Sequence, residues 1–80
     1  MNYADFITEK YLGKDTPAGD LAGDIRHDPN FPRLTDQDPD QERQTIKNYL
    51  EHRSACAGCM AAFRYTWSRY IAFCRKEMQQ

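Results

Sequence analysis

Apolar residues in the last third of the chain recur at the spacing of a helix. Between Ser54 and Met78 there is no proline and a single glycine, Gly58. At about 100° per residue, the apolar positions fall within about 120° of one another. They are Cys56, Met60, Phe63, Trp67, Tyr70, Ile71, Cys74 and Met78. The pattern predicts one long C-terminal helix, capped by Ser54, whose apolar side covers the core.

The opposite side of this predicted helix mixes aromatic and cationic residues. Tyr65, Arg69, Phe73 and Lys76 lie within about 80° of one another and point away from the core side. We call these four residues the outer strip. Aromatic and arginine side chains are enriched in protein interfaces, so the outer strip is the candidate partner-binding surface.

Three shorter helices are predicted before it. The first begins after Asn2 and ends near Leu12, and the second begins at Pro17 with Thr16 as its cap. The third begins at Pro39 with Asp38 as its cap. Their predicted inward residues are Tyr3, Phe6, Ile7 and Tyr11, then Leu21, Ala22 and Ile25, then Ile46, Tyr49 and Leu50. The predicted outward residues of the third helix are Glu42, Arg43, Lys47 and Glu51.

Two glycines interrupt the second helix. Gly19 and Gly23 are four residues apart, and each costs about 1 kcal/mol relative to alanine inside a helix. Either another helix packs closely against both glycines, or the helix is weak and held by its neighbours. The residues alone leave both interpretations open.

The sequence also predicts the structure of the connections between the helices. Two prolines within residues 27–32 exclude a helix there and predict a corner, with Phe31 inserted into the core. Residues 35–39 form a polar, acidic loop. No alternating β-branched run occurs, so the sequence predicts an all-α, compact four-helix bundle. It forms a single domain over residues 1–80, with residues 71–80 extending beyond the body.

Length and composition limit the functions available to this chain. Eighty residues with 40% hydrophobic content form one small domain, which has no room for a large substrate cavity. No apolar run approaches the ~20 residues that cross a bilayer, and the N-terminus lacks a signal-peptide pattern. We therefore expect a cytoplasmic protein with no membrane contact and no small-molecule substrate.

Charge is unevenly distributed although the net charge is only −1. Residues 1–42 carry ten acidic and four basic side chains, a net charge of −6, whereas residues 43–80 carry seven basic and two acidic ones, a net charge of +5. The halves either neutralise each other within the fold or form two interaction surfaces of opposite charge.

Three aspartates recur every four residues in the acidic half. Asp20, Asp24 and Asp28 are predicted to share one face of the second helix. Solvated carboxylates, an acidic docking surface, and a metal or acid–base site are the alternatives.

The cysteines suggest a metal site that the spacing does not support. Cys56 and Cys59, with His52 before them, resemble part of a zinc site, but structural zinc needs four ligands. The remaining cysteine, Cys74, lies about 22 Å beyond Cys59 along a straight helix. We therefore predict no metal, no cofactor and no internal disulfide, with Cys56 and Cys74 as core residues.

Several stretches resemble the YozE-like family of small bacterial domains with a sterile-alpha-motif-like (SAM-like) fold. They are Asp15–Ile25, Asp28–Pro32, Ile46–Glu51 and Trp67–Tyr70. The resemblance implies a compact four-helix unit and supplies no activity, cofactor or catalytic residue. The chain departs from the family pattern in a longer connection from Pro32 to Ile46 and in a final helix that continues past Tyr70.

The sequence therefore favours a non-enzymatic interaction module. We expect an adaptor, an inhibitor or a self-associating protein that binds another protein through the outer strip. The alternative is a small nucleic-acid-associated regulator that uses basic residues of the last helix such as Arg64, Arg69, Arg75 and Lys76. An enzyme is the weakest interpretation, because no nucleophile–base pair or phosphate-binding loop is present.

Overall fold

Three shorter helices pack with one long C-terminal helix. The computed structural model describes residues 2–34 and 38–78. Its helices are α1 (Tyr3–Tyr11), α2 (Pro17–Arg26), α3 (Pro39–His52) and α4 (Ala57–Met78). No strand occurs within these residues. The predicted all-α, four-helix fold with a long C-terminal helix is confirmed.

Side-chain caps fix where α1 begins and a glycine fixes where it ends. The Asn2 Oδ1 accepts the Asp5 N–H at 2.8 Å, which satisfies one of the free donors of the first turn. Gly13 has φ +86°, a left-handed conformation that favours glycine and turns the chain away after the helix. The predicted inward residues Tyr3, Phe6 and Ile7 are buried.

α2 also begins where the sequence predicts. The Thr16 Oγ1 accepts the Gly19 N–H at 3.1 Å, and Pro17 occupies the first helical position. The buried residues of this helix include Leu21, Ala22 and Ile25, as expected. α2 packs against both α1 and α4.

The two glycines of α2 have different surroundings. A Cβ atom placed on Gly19 would lie 1.9 Å from the backbone oxygen of Lys14, whereas one placed on Gly23 would meet nothing within 4 Å. The close approach at Gly19 is to the α1–α2 connection and not to another helix. No neighbour packs closely against both glycines, so that interpretation is wrong.

The corner after α2 is anchored as predicted. Phe31 is buried, and its ring meets that of Tyr49 edge-on with 5.4 Å between centroids. The Arg33 guanidinium donates to the backbone oxygens of Ile25, Asp28 and Phe31. Most of the predicted acidic loop, Thr35–Gln37, lies outside the described residues.

α3 contains the clearest departure from the sequence prediction. It begins after Asp38 as expected, but the Asp38 side chain makes no capping hydrogen bond. Glu42, predicted to face outward, is only 4% exposed. Its Oε2 accepts the Tyr3 N–H at 3.1 Å and its Oε1 accepts the Tyr70 O–H at 3.4 Å. Burial raises the pKa of this carboxyl group above its usual range.

α4 begins two residues later than predicted. Ser54, the expected cap, has φ +59° and lies in the turn that ends α3. Cys56 occupies the cap position, since its backbone oxygen accepts the Met60 N–H at 3.0 Å. Its Sγ accepts the Cys59 N–H at 3.4 Å.

The core side of α4 is narrower than the predicted apolar stripe. Phe63, Trp67 and Tyr70 are buried as expected, together with Ala62 and Thr66. Cys56 is exposed, so its assignment to the core is wrong. The remaining predicted members that can be described, Met60, Ile71 and Cys74, are half-buried against the core.

Tyr3 lies at the centre of the core. Its ring contacts those of Phe63, Trp67 and Tyr70, with centroids 5.5 to 5.9 Å apart. Its hydroxyl forms a 2.7 Å hydrogen bond with the Thr66 hydroxyl. This buried contact between α1 and α4 fixes how the two helices face each other, and with it the shape of the surface between them.

Candidate binding site

A basic cleft runs between α1 and the second half of α4. Its volume is about 420 Å³, and α1, the connection after it and α4 all contribute to its lining. The lining residues are Phe6, Lys10, Tyr11, Lys14, Arg69, Ala72, Phe73 and Lys76. Four of the eight are cations and three are aromatic.

The aromatic residues form the floor of the basic cleft. The Phe6 ring lies 5.4 Å from that of Phe73 and 6.3 Å from that of Tyr11, measured between centroids. Phe6 is buried, whereas Tyr11 and Phe73 are half-buried. The rings are thus packed into the fold and present a partly covered apolar surface.

The cations surround this floor, and two of them are placed by the rings. The Lys10 Nζ lies 5.5 Å from the Phe73 ring centroid and the Lys14 Nζ 5.9 Å from that of Tyr11. Both distances suit cation–π attraction. Arg69 and Lys76 are exposed on α4. Among the side chains that the structure describes, the ion pair present joins Arg53 and Asp28, so none of these four cations pairs with a described carboxylate.

The predicted outer strip is therefore partly corrected. Tyr65 is 58% exposed, and Arg69 and Lys76 are also exposed on the same side of α4. Phe73 does not point away from the protein, because its ring packs against Phe6 of α1. It supports the basic cleft from below and leaves the cations as the accessible groups.

The sequence did not reveal what α1 contributes to the cleft. Lys10 of α1 and Lys14 of the connection after it both line the basic cleft, although neither is among the candidate residues of the sequence analysis. Their spacing of four residues was the available signal. It could not be used without knowing that α1 packs beside α4.

The acidic residues lie in a second and larger depression. This acidic groove has a volume of about 1080 Å³ and follows α2, with Asp15, Asp20 and Asp24 exposed on it. Leu12 and Lys14 line its end nearest to α1. Asp20 and Asp24 therefore remain accessible for docking, as one of the sequence interpretations proposes.

Asp28 has a structural contact that the other two aspartates lack. It lies beyond the end of α2, accepts the Tyr49 hydroxyl, and its Oδ2 is 3.7 Å from the Arg53 Nη1. The Tyr49 hydrogen bond is the main cause that lowers the pKa of the Asp28 carboxyl. Asp28 ties the corner to α3 and does not share a helical face with Asp20 and Asp24.

Neither the cysteines nor the carboxylates form a metal cage in the described part of the chain. No cluster of three or more His, Cys, Asp or Glu side chains with metal-binding geometry occurs there. All three cysteines are unpaired thiols. Burial is the main cause that raises the pKa of the Cys59 thiol, which favours its protonated form.

None of the described helices combines the length and the apolar character needed to cross a bilayer.

Comparison with known proteins assigns the fold family. The model of the YozE SAM-like fold matches residues 3–72. The chain belongs to this family. No significant match was found among curated proteins or among solved structures.

Membership in the YozE SAM-like family agrees with the four-helix architecture. The match ends at residue 72, whereas α4 continues to Met78. Two lining residues of the basic cleft, Phe73 and Lys76, lie on this continuation. Part of the cleft therefore lies outside the residues that the family model matches.

Proposed function

We propose that this chain is a non-enzymatic module that binds an acidic surface of another protein through the basic cleft. Tyr65 and Arg69 on the outer side of α4 extend the contact. An adaptor, an inhibitor or a self-associating protein of a bacterium or mobile element, acting in the cytoplasm, fits this role. The observation that carries the proposal is the set of four cations around an aromatic floor with no carboxylate partner in the described residues.

The chemistry of the basic cleft suits carboxylates carried by a protein. Arg69 offers a planar fork that can hold a carboxylate through two hydrogen bonds, and the lysines offer compact point charges. Cation–π contacts restrict Lys10 and Lys14 before binding, so less side-chain freedom is lost on association. The partly covered rings of Tyr11 and Phe73 add apolar area at the centre of the contact.

The buried groups support a role in binding and not in catalysis. The buried polar side chains among the described residues are Asn2, Glu42 and Thr66. Asn2 caps α1, and Glu42 and Thr66 bond to tyrosines within the core. None lines the basic cleft, so this site has no buried acid, base or nucleophile.

Nucleic acid is the second candidate ligand, because aromatic floors with surrounding cations also bind single strands. A titration with a fluorescent single-stranded oligonucleotide at about 50 mM and about 500 mM salt separates the two functions. We expect no saturable binding at low salt. Saturable binding that weakens with salt and is lost in Arg69→Glu would favour the nucleic-acid function instead.

A matched pair of charge reversals on α4 tests the protein-binding function. Arg69→Glu/Lys76→Glu alters the basic cleft, whereas Arg64→Glu/Arg75→Glu makes the same charge change at exposed positions of the same helix outside it. Affinity capture with a tagged chain, from source cells that also produce an untagged copy of distinguishable mass, should recover a partner by mass spectrometry, either another protein or the untagged copy. Recovery is expected with the wild type and the control pair but not with the cleft pair.

The capture experiment has a clear contrary result. If the same proteins are recovered equally with both double variants, or if no protein depends on Arg69 and Lys76, the basic cleft is not the binding surface. Circular dichroism of each variant checks that it is folded, so that loss of capture reports on the surface.

A further inference from the structure

The basic cleft and the acidic groove are neighbours on the protein surface. Lys14 lines both of them, so they meet at the connection between α1 and α2. Leu12 lies in this connection and is 39% exposed, which is unusual for a large apolar side chain of this protein. One continuous patch therefore carries a positive half, an apolar middle and a negative half.

The charged groups of this patch have no oppositely charged partner among the described residues. No ion pair involves Lys10, Lys14, Arg69 or Lys76, and none involves Asp15, Asp20 or Asp24, in the part of the chain that the structure describes. Arg53 also lines the acidic groove, but it already contacts Asp28. Both halves of the patch can thus engage charges from outside.

We infer that the occupant of the basic cleft is a second copy of this chain, related to the first by a two-fold axis at Leu12. This inference rests on the proposed function, since it uses the same cleft. Rotation by two-fold symmetry sets the acidic groove of each copy against the basic cleft of the other. It also brings the two Leu12 side chains together at the centre.

The adjacency of the two halves determines the kind of assembly. Opposite charges on remote ends of a molecule produce head-to-tail contacts that grow into open chains. Opposite charges side by side are self-complementary under a two-fold rotation, because each copy supplies both partners of the contact. The expected assembly is a closed pair that does not grow further.

Sedimentation velocity over a range of protein concentrations tests the closed pair. At about 50 mM salt the sedimentation coefficient should rise with concentration and reach a plateau at the value of a dimer. At about 500 mM salt the dissociation constant should be at least about 10-fold larger, because screening weakens both charge contacts.

Charge reversal with complementary rescue identifies the surfaces. Arg69→Glu/Lys76→Glu and Asp20→Lys/Asp24→Lys should each be monomeric, with dissociation constants raised at least about 100-fold. An equimolar mixture of the two variants should form a one-to-one dimer, because one contact then pairs the reversed cleft with the reversed groove and the other contact pairs the unaltered groove with the unaltered cleft. Rescue also demonstrates that each variant is folded. Arg64→Glu/Arg75→Glu should dimerise like the wild type.

Three results would overturn the inference: a wild type that stays monomeric at low salt, an assembly whose mass keeps growing with concentration, or variants that pair like the wild type. A monomeric wild type whose capture of another protein still depends on Arg69 and Lys76 would reject the second copy as partner and retain the protein-binding function. If the wild type is monomeric and no captured protein depends on Arg69 and Lys76, both the second-copy inference and the protein-binding function are rejected.

Discussion

Gly19 and Gly23 look equivalent in the sequence, but only Gly19 is required by its surroundings. The backbone oxygen of Lys14 occupies the place where a side chain at residue 19 would begin. That contact brings the α1–α2 connection, which carries Leu12 and Lys14, close against the first turn of α2. Gly23 faces open space at the acidic groove.

Alanine substitution at the two glycines should have opposite effects on stability. Gly19→Ala should lower the free energy of unfolding by about 2 kcal/mol or more, because the Lys14 backbone must move. Gly23→Ala should raise it by about 0.5–1 kcal/mol through better helix propensity. Urea denaturation measures both, and a stabilising Gly19→Ala would contradict the described packing.

Glu42 is the residue whose position was hardest to foresee. A glutamate in the first turn of a helix ordinarily faces water, and only the tertiary position of Tyr3 and Tyr70 makes burial tolerable. Thr66 was missed for a related reason. Its hydroxyl donates to the Ala62 backbone oxygen of its own helix and also forms a hydrogen bond with the Tyr3 hydroxyl. The hydrogen bonds of this polar side chain are therefore satisfied inside the core.

The contribution of the buried Glu42 to the free energy of unfolding should decrease as pH rises. Its pKa is raised in the folded protein, so above about pH 4.3 the unfolded chain loses this proton before the folded protein does. The contribution of Glu42 to stability is therefore complete below that pH and is lost as pH rises through the folded pKa.

Comparison with a variant isolates this contribution from the other carboxyl groups. The free energy of unfolding of the wild type, minus that of Glu42→Gln, should decrease as pH rises from about 4 to about 7. Urea denaturation at a series of pH values measures the difference. Parallel curves for the two proteins would mean that Glu42 titrates normally and is not buried.

At the scale of elements, the helix ends were predicted as far as local chemistry determines them. Asn2 and Thr16 cap α1 and α2 because their side chains reach a nearby N–H, a contact that needs only local sequence. The predicted start of α4 was wrong because the Ala55 N–H donates to the Leu50 backbone oxygen and closes the turn after α3. This turn places Ser54 in a left-handed conformation.

α3 is the helix with the fewest attachments to the rest of the fold. Its buried residues are Glu42, Ile46 and Leu50, and of the other helices its backbone packs closely only with α4. Hydrogen exchange followed by NMR should therefore show lower protection in α3 than in the buried turns of α1 and α4. Equal protection in all four helices would indicate that the fold opens only as a whole.

At the scale of the whole molecule, the acidic and basic halves of the sequence contribute to two adjoining surfaces, the acidic groove and the basic cleft. Lys10 and Lys14 belong to the acidic half of the sequence, yet they join Arg69 and Lys76 in the basic cleft. The net charge of each half of the sequence could not predict this grouping, because α1 packs beside α4 and brings residues of both halves into one surface. The family match fixes the fold over residues 3–72 and leaves the cleft to be understood from its own residues.

The central claim is that a partner binds in the basic cleft and along the adjoining outer side of α4, where Tyr65 and Arg69 lie. Site-specific photocrosslinking in the source cells tests it most directly, with a benzophenone amino acid replacing Tyr65 in one variant and the neighbouring Arg64 in the other. Both positions are exposed, but they point about 100° apart on the helix. Crosslinks to a protein from position 65 and not from position 64 are predicted. Crosslinks from position 64 alone, or equally from both, would contradict the account.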